Sequence, residues 1–141
     1  MTPEEMKRRT KEFGLRVIRL VAAMPTGRAA EVIARQLLKA ATSVGANYRA
    51  ACRSRSDGDF MARMGIVEEE ADEAVYWMEV LVEAGLAKPQ RLAALRKEGE
   101  EILAMVVASI KTVKARRGGR RRQSEFRNPN SEIRIPKSEM V

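Results

Sequence analysis

Between Phe60 and Leu81 the apolar residues Phe60, Met64, Val67, Ala71, Ala74, Met78 and Leu81 recur at strictly alternating spacings of four and three. Only an α-helix presenting one face to a partner gathers such positions on one side, because 3.6 residues complete each turn. Ser56, three residues ahead of Asp59, gives this helix a start signal of the capping-box type, with aspartate in the usual glutamate position. A single packed stripe over six turns cannot bury itself, so partner helices are required.

The rest of the chain supplies them. Thr2 as N-cap, Pro3 at the first helical position, and Glu4 and Glu5 against the positive end of the macrodipole announce a first helix, whose stripe is Phe13, Val17, Leu20 and Met24. Pro25 and Gly27 end it, and a second helix of about seven turns carries Ile33, Leu37, Ala40, Val44, Asn47 and Ala51. After Gly85 and Pro89 a fourth uses Leu92, Leu95, Ile102, Val106 and Val113, and the reading stops it before Gly118 and Gly119. Aromatic residues make up only 4% of the chain, which leaves little to build a sheet. The expected fold is all-α, an antiparallel up-down-up-down four-helix bundle over residues 1–116 with a disordered basic tail over 117–141. A three-helix bundle exchanging its fourth helix between protomers is the alternative. Within the tail, Ser124 to Asn130, Ser131 to Lys137 and Ser138 to Met140 repeat the form Ser-Glu-x-Arg-x-Pro-x, whose prolines forbid a helical heptad.

The formal net charge is +8, of which residues 1–115 carry +3 and the remainder +5. Along the second helix the outward positions Arg28, Val32, Arg35, Lys39, Thr42, Ala46, Arg49 and Arg53 follow the four-three rhythm away from the apolar stripe, and none is acidic. A row of cations on a rigid rod can track a phosphate backbone, so Arg28, Arg35, Lys39, Arg49 and Arg53 are the candidate nucleic-acid contacts. The third helix is of opposite sign, with Glu69, Asp72, Glu73, Glu79 and Glu83 outside its core stripe, which invites salt bridges within or between subunits. Asn47 interrupts an apolar stripe and is read, with Ser56 and Asp59, as structural: a partnered amide there can specify register or oligomeric state.

The chain has no histidine and one cysteine, Cys52. That removes histidine-dependent triads, the Glu-x-x-His element of di-metal bundles and the common zinc sets, so no catalytic residue, metal or cofactor is expected. Glu69 and Glu73 lie one turn apart, but an electrostatic or structural role is favoured. No apolar run is long enough to span a bilayer and no signal core opens the chain, so a cytoplasmic protein without a membrane partner is expected.

Gln36-Leu37, Ala41, Ser43 and Asn47, then Ser56-x-x-Asp59-Phe60, then the segment from Ile66 to Glu73, stand in an order and spacing that resemble the 23S ribosomal RNA intervening-sequence family over about residues 8–115. Ala50-Ala51 and Glu69-Glu70 depart from pairs frequent in that family, which marks a distinct subgroup. The resemblance implies a four-helix bundle that assembles with itself, with pentameric rings among the family's folds. It also implies kinship with accessory proteins of diversity-generating retroelements, basic pentamers that bind nucleic acid and a reverse transcriptase. Two functional expectations follow: a non-enzymatic oligomer binding RNA or DNA through helix two, and a protein-interaction scaffold whose charged faces serve assembly.

Overall fold

In the computed structural model the backbone of residues 1–127 is described, with side chains through Gly119; four helices account for almost all of it: α1 Pro3–Ala22, α2 Arg28–Ala51, α3 Asp57–Glu83 and α4 Pro89–Arg127. Residues 1–110 form one compact unit and a second begins at Lys111. At the start of α1 the Thr2 hydroxyl accepts from the Glu5 N–H at 3.1 Å while the Glu5 carboxylate accepts from the Thr2 N–H at 3.0 Å, a complete capping box. At α3 only half of that exchange forms. Ser56 Oγ accepts from the Asp59 N–H at 3.0 Å, but the shorter aspartate turns to Arg63, whose Nε lies 3.2 Å from Oδ2.

The α3–α4 turn is fixed by Gly85 at φ 73°, which lets the Gly85 and Leu86 N–H groups reach back to the carbonyls of Val82 and Leu81 at 3.0 and 2.9 Å. Short turns fold each helix back on its predecessor. Gly14 of α1 lies against Ala41 and Thr42 while Gly45 of α2 lies against Thr10 and Lys11, and Gly99 of α4 meets Val75 while Arg96 meets Glu79. Both pairs therefore run antiparallel, and Arg9 and Phe13 of α1 reach Glu98 and Gly99 of α4 to close the up-down-up-down bundle. The fourth helix packs on its own chain.

The expected stripes of α1, α2 and α3, and that of α4 as far as Val106, meet in one core, where Phe13, Val17, Leu37, Val44, Met64, Val67, Met78, Leu81, Leu92, Ile102 and Val106 are buried. The small residues do as much as the large ones. A Cβ on Gly45 would lie 3.3 Å from the Thr10 and Lys11 backbone, and one on Gly99 would lie 3.0 Å from Val75 and 3.3 Å from the Phe13 ring. Gly99 thus admits α1 and α3 to close contact with α4.

Two boundaries differ from the sequence reading. α2 ends at Ala51 with Cys52 as its C-cap, so Arg53 stands in the following turn, its N–H bonded to the Ala50 carbonyl at 3.1 Å, and not on the helix. α4 passes through Gly118 and Gly119 to Arg127, because two glycines cost only about 1 kcal/mol each and strong helix formers, Arg120, Arg121, Arg122 and Gln123, follow. The rest of the expected tail, 128–141, lies outside the described residues.

Candidate functional site

The core-facing side of α2 is settled by Leu37, Ala40, Ala41 and Val44, which leaves its opposite side to water. Arg28, Arg35, Lys39 and Arg49 are all exposed there, spread over about 31 Å of helix, and exposed Arg53 follows in the turn. None of the five forms an ion pair with a described residue, whereas Arg9, Arg19, Arg63 and Arg96 all do. The ridge is a row of uncommitted charge. Opposition comes from Glu70 of α3, whose carboxylate feels the charge of Lys39, and from exposed Glu31, which lies between Arg28 and Arg35 on the same helix.

A second helix contributes cations that the sequence reading missed. The close approach of α1 and α2 at Gly14 and Gly45 leaves a groove of about 500 Å³ between their longer outward side chains. Lys7, Arg8 and Lys11 rise from α1 on one side and Arg49 from α2 on the other, with Leu15 and Ile18 as apolar wall. Leu15 and Ile18 are 36% and 44% exposed. One carboxylate shares the site: Glu4 holds Lys7 at 3.0 Å. The signal was present in the sequence, since Lys7, Lys11 and Ile18 flank the Phe13–Val17 stripe at helical spacing. Which flank stays open depends on the neighbour, and the periodicity of one helix does not carry that.

The acidic residues of α3 divide. Glu79 is consumed by Arg96 of α4 at 2.8 Å, while Glu69, Asp72, Glu73 and Glu83 are exposed. Glu73 accepts from the Trp77 indole N–H at 3.3 Å, and Tyr76, 54% exposed, stands edge-on to that indole at 4.9 Å. Burial, and then the charge of Glu73, push the Glu70 carboxyl above its ordinary range, with Lys39 opposing the shift. Among the described residues no group of three or more Asp, Glu or Cys side chains converges as a metal site would require. No helix among them is long and apolar enough to cross a membrane.

The expected structural polar residues are local. Ser56 caps α3 and Asp59 pairs with Arg63; Asn47, half-buried, donates to the Ser43 carbonyl at 2.9 Å and the Ser43 hydroxyl at 2.7 Å. Both partners of Asn47 lie one turn back on its own helix, so the amide is satisfied without a cross-helix bond. Tyr48 is buried in the core, and Cys52 is a free, half-buried thiol.

The profile of the 23S rRNA-intervening sequence proteins matches residues 4–108, close to the interval expected from the motifs. A crystal structure of a protein of unknown function from the S23 ribosomal protein family of Bacteroides thetaiotaomicron is similar at 28% identity, with a TM-score of 0.71. The similarity covers 75% of this chain and 98% of that one. No curated protein matches the sequence.

Proposed function

The chain belongs to the 23S rRNA-intervening sequence protein family, and from that premise we propose that it is a non-enzymatic, cytoplasmic, self-assembling bundle that binds RNA or DNA through the outer face of α2. The observation that carries this reading is the exposed, unpaired row of Arg28, Arg35, Lys39 and Arg49 on one rigid helix. Cations held in this way release counterions from a phosphate backbone without reading bases. The family's name associates its members with ribosomal RNA genes, which makes structured RNA the first ligand to try.

Binding of labelled RNA to the full chain, titrated across salt, tests the proposal. Charge reversal at Arg28, Arg35 and Lys39 together should abolish most of the affinity, and the log–log salt dependence should flatten by about 0.7–0.9 for each phosphate left without its cation. The tail stays in every variant, so its own charge is held constant. Salt-independent binding, or undiminished affinity in the triple variant, would refute the role of this face.

A scaffold reading, in which the charged faces serve assembly and a protein partner docks on the result, is favoured by one observation of its own. Leu15, Ile18, Ile66 and Tyr76 are large, exposed and lie among charges on two different helices. The two readings are compatible in one oligomer.

A further inference from the structure

α3 carries two heptad stripes. The inner one, from Met64 to Leu81, is buried; the outer one runs Ile66, Glu69, Glu73, Tyr76, Val80 and Glu83, again at spacings of three and four, and mixes three apolar or aromatic groups with three carboxylates. Ile66 is 44% and Tyr76 54% exposed, and neither Glu69 nor Glu73 pairs with a described cation. Neighbouring Glu70 is displaced upward, first by burial and then by the charges of Glu73 and Glu69. The stripe is a surface short of positive charge.

The α1/α2 groove is its complement. Lys7, Arg8, Lys11 and Arg49 stand against the single carboxylate of Glu4, around the apolar wall of Leu15 and Ile18. From Lys7 to Ile18 the groove follows α1 for about 16 Å, and from Ile66 to Tyr76 the stripe covers about 15 Å. Signs, apolar positions and lengths agree.

We propose that the outer stripe of α3 in one copy seats in the α1/α2 groove of another, Ile66 and Tyr76 against Leu15 and Ile18, with Glu69 and Glu73 reaching Lys11, Arg8 and Arg49. The occupant must be a second copy. The inner stripe already holds α3 against its own α2, which turns the outer stripe away from the groove of the same chain. Because the two surfaces differ, the contact is heterologous, and repetition closes a ring or extends a filament. This inference rests on the self-assembly included in the proposed function and assigns the faces that meet. It also divides the basic surface: Arg49 is drawn into the contact, while Arg28, Arg35 and Lys39 stay available to nucleic acid.

A charge swap in the full chain tests it, with mass read by light scattering after nuclease treatment and RNA binding read separately. Glu69→Lys with Glu73→Lys should weaken assembly at least tenfold, and so should Lys11→Glu with Arg49→Glu; the four changes together should restore it. Circular dichroism confirms that each variant is helical, and Ile18→Asp, which leaves both charge sets intact, should dissociate the copies as well. A monomeric parent chain, an undiminished mass in the Glu69→Lys, Glu73→Lys variant, or failure of the swap to restore assembly would overturn the assignment. RNA binding without assembly defeats this inference alone, and assembly with restored swaps but no RNA binding defeats only the nucleic-acid reading.

Discussion

The two flanks of α1 meet the same bundle and treat their charges in opposite ways. Toward α4, Arg9 donates through Nε and Nη2 to both oxygens of Glu98 at 2.7 and 2.6 Å and through Nη2 to Glu101 at 3.0 Å, while Phe13 lies under Gly99. The hydrogen bond from Arg9 holds the Glu98 carboxyl below the usual carboxylate range, and Glu98 in turn raises the guanidinium. Toward α2, Lys7, Arg8 and Lys11 stand at the lip of a groove whose apolar wall is partly open. One flank uses its charge to join helices; the other presents it. Counting cations along the chain does not separate these roles, because the separation is made by which neighbour brings carboxylates within reach.

The sharpest way to break this comparison is at the joined flank. Phe13 is fully buried, and Phe13→Ala should cost about 3–5 kcal/mol, combining lost transfer energy with a cavity that Gly99 has no side chain to fill. Urea unfolding of the full chain followed by circular dichroism measures it. A loss below about 1 kcal/mol would mean that the α1/α4 contact is dispensable, and the distinction between the flanks would fall.

A smaller effect separates the cations themselves. Arg9→Ala leaves a half-buried Glu98 without its charged partner and should cost about 1–3 kcal/mol. Lys11→Ala, measured at high salt where copies are separated, should change stability by no more than about 0.5 kcal/mol. The pH dependence has a definite sign. Since Glu98 is depressed in the folded chain, its contribution is complete above the unfolded value near 4.3 and is lost as pH falls through that value toward the folded one. Glu98→Gln should remove that acid-side slope; an unchanged slope would place the sensitivity elsewhere.

How much of this was legible in the sequence follows from what kind of information each feature needs. The helices were legible because a stripe such as Met64, Val67, Ala71, Ala74, Met78 is a local pattern, and the caps at Thr2 and Ser56 are local chemistry. Exposure of Arg28, Arg35, Lys39 and Arg49 followed from the same periodicity, since a helix with one buried side has an opposite one. Arg53 was misplaced because the end of α2 is set by a cap without a glycine or proline signal. The cations of the groove stand at helical spacing in the sequence, but the groove itself was not legible. It exists because Gly14 and Gly45 bring two backbones together 31 positions apart in the chain, and neither glycine announces its partner. The asparagine at 47, read as a structural amide that needs a partner, finds it in Ser43, a pairing visible at i−4 once the local option is weighed first.

The smallest expected effect connects the two outer faces. Glu70 is half-buried beside Glu73 and Glu69, and only Lys39 opposes the rise of its proton affinity. A carboxyl raised in the folded state contributes with the sign opposite to that of Glu98: stability falls as pH climbs from the unfolded value through the folded one. Glu70→Gln should therefore stabilise the chain at neutral pH by about 0.5 kcal/mol or less and flatten that part of the pH curve. The same change removes a negative charge that interacts with Lys39, so RNA affinity should rise by less than tenfold, most visibly at low salt where exposed charges are least screened. If Glu70→Gln weakened RNA binding instead, Lys39 would owe its placement to Glu70, and the ridge of α2 would be organised by α3 rather than opposed by it.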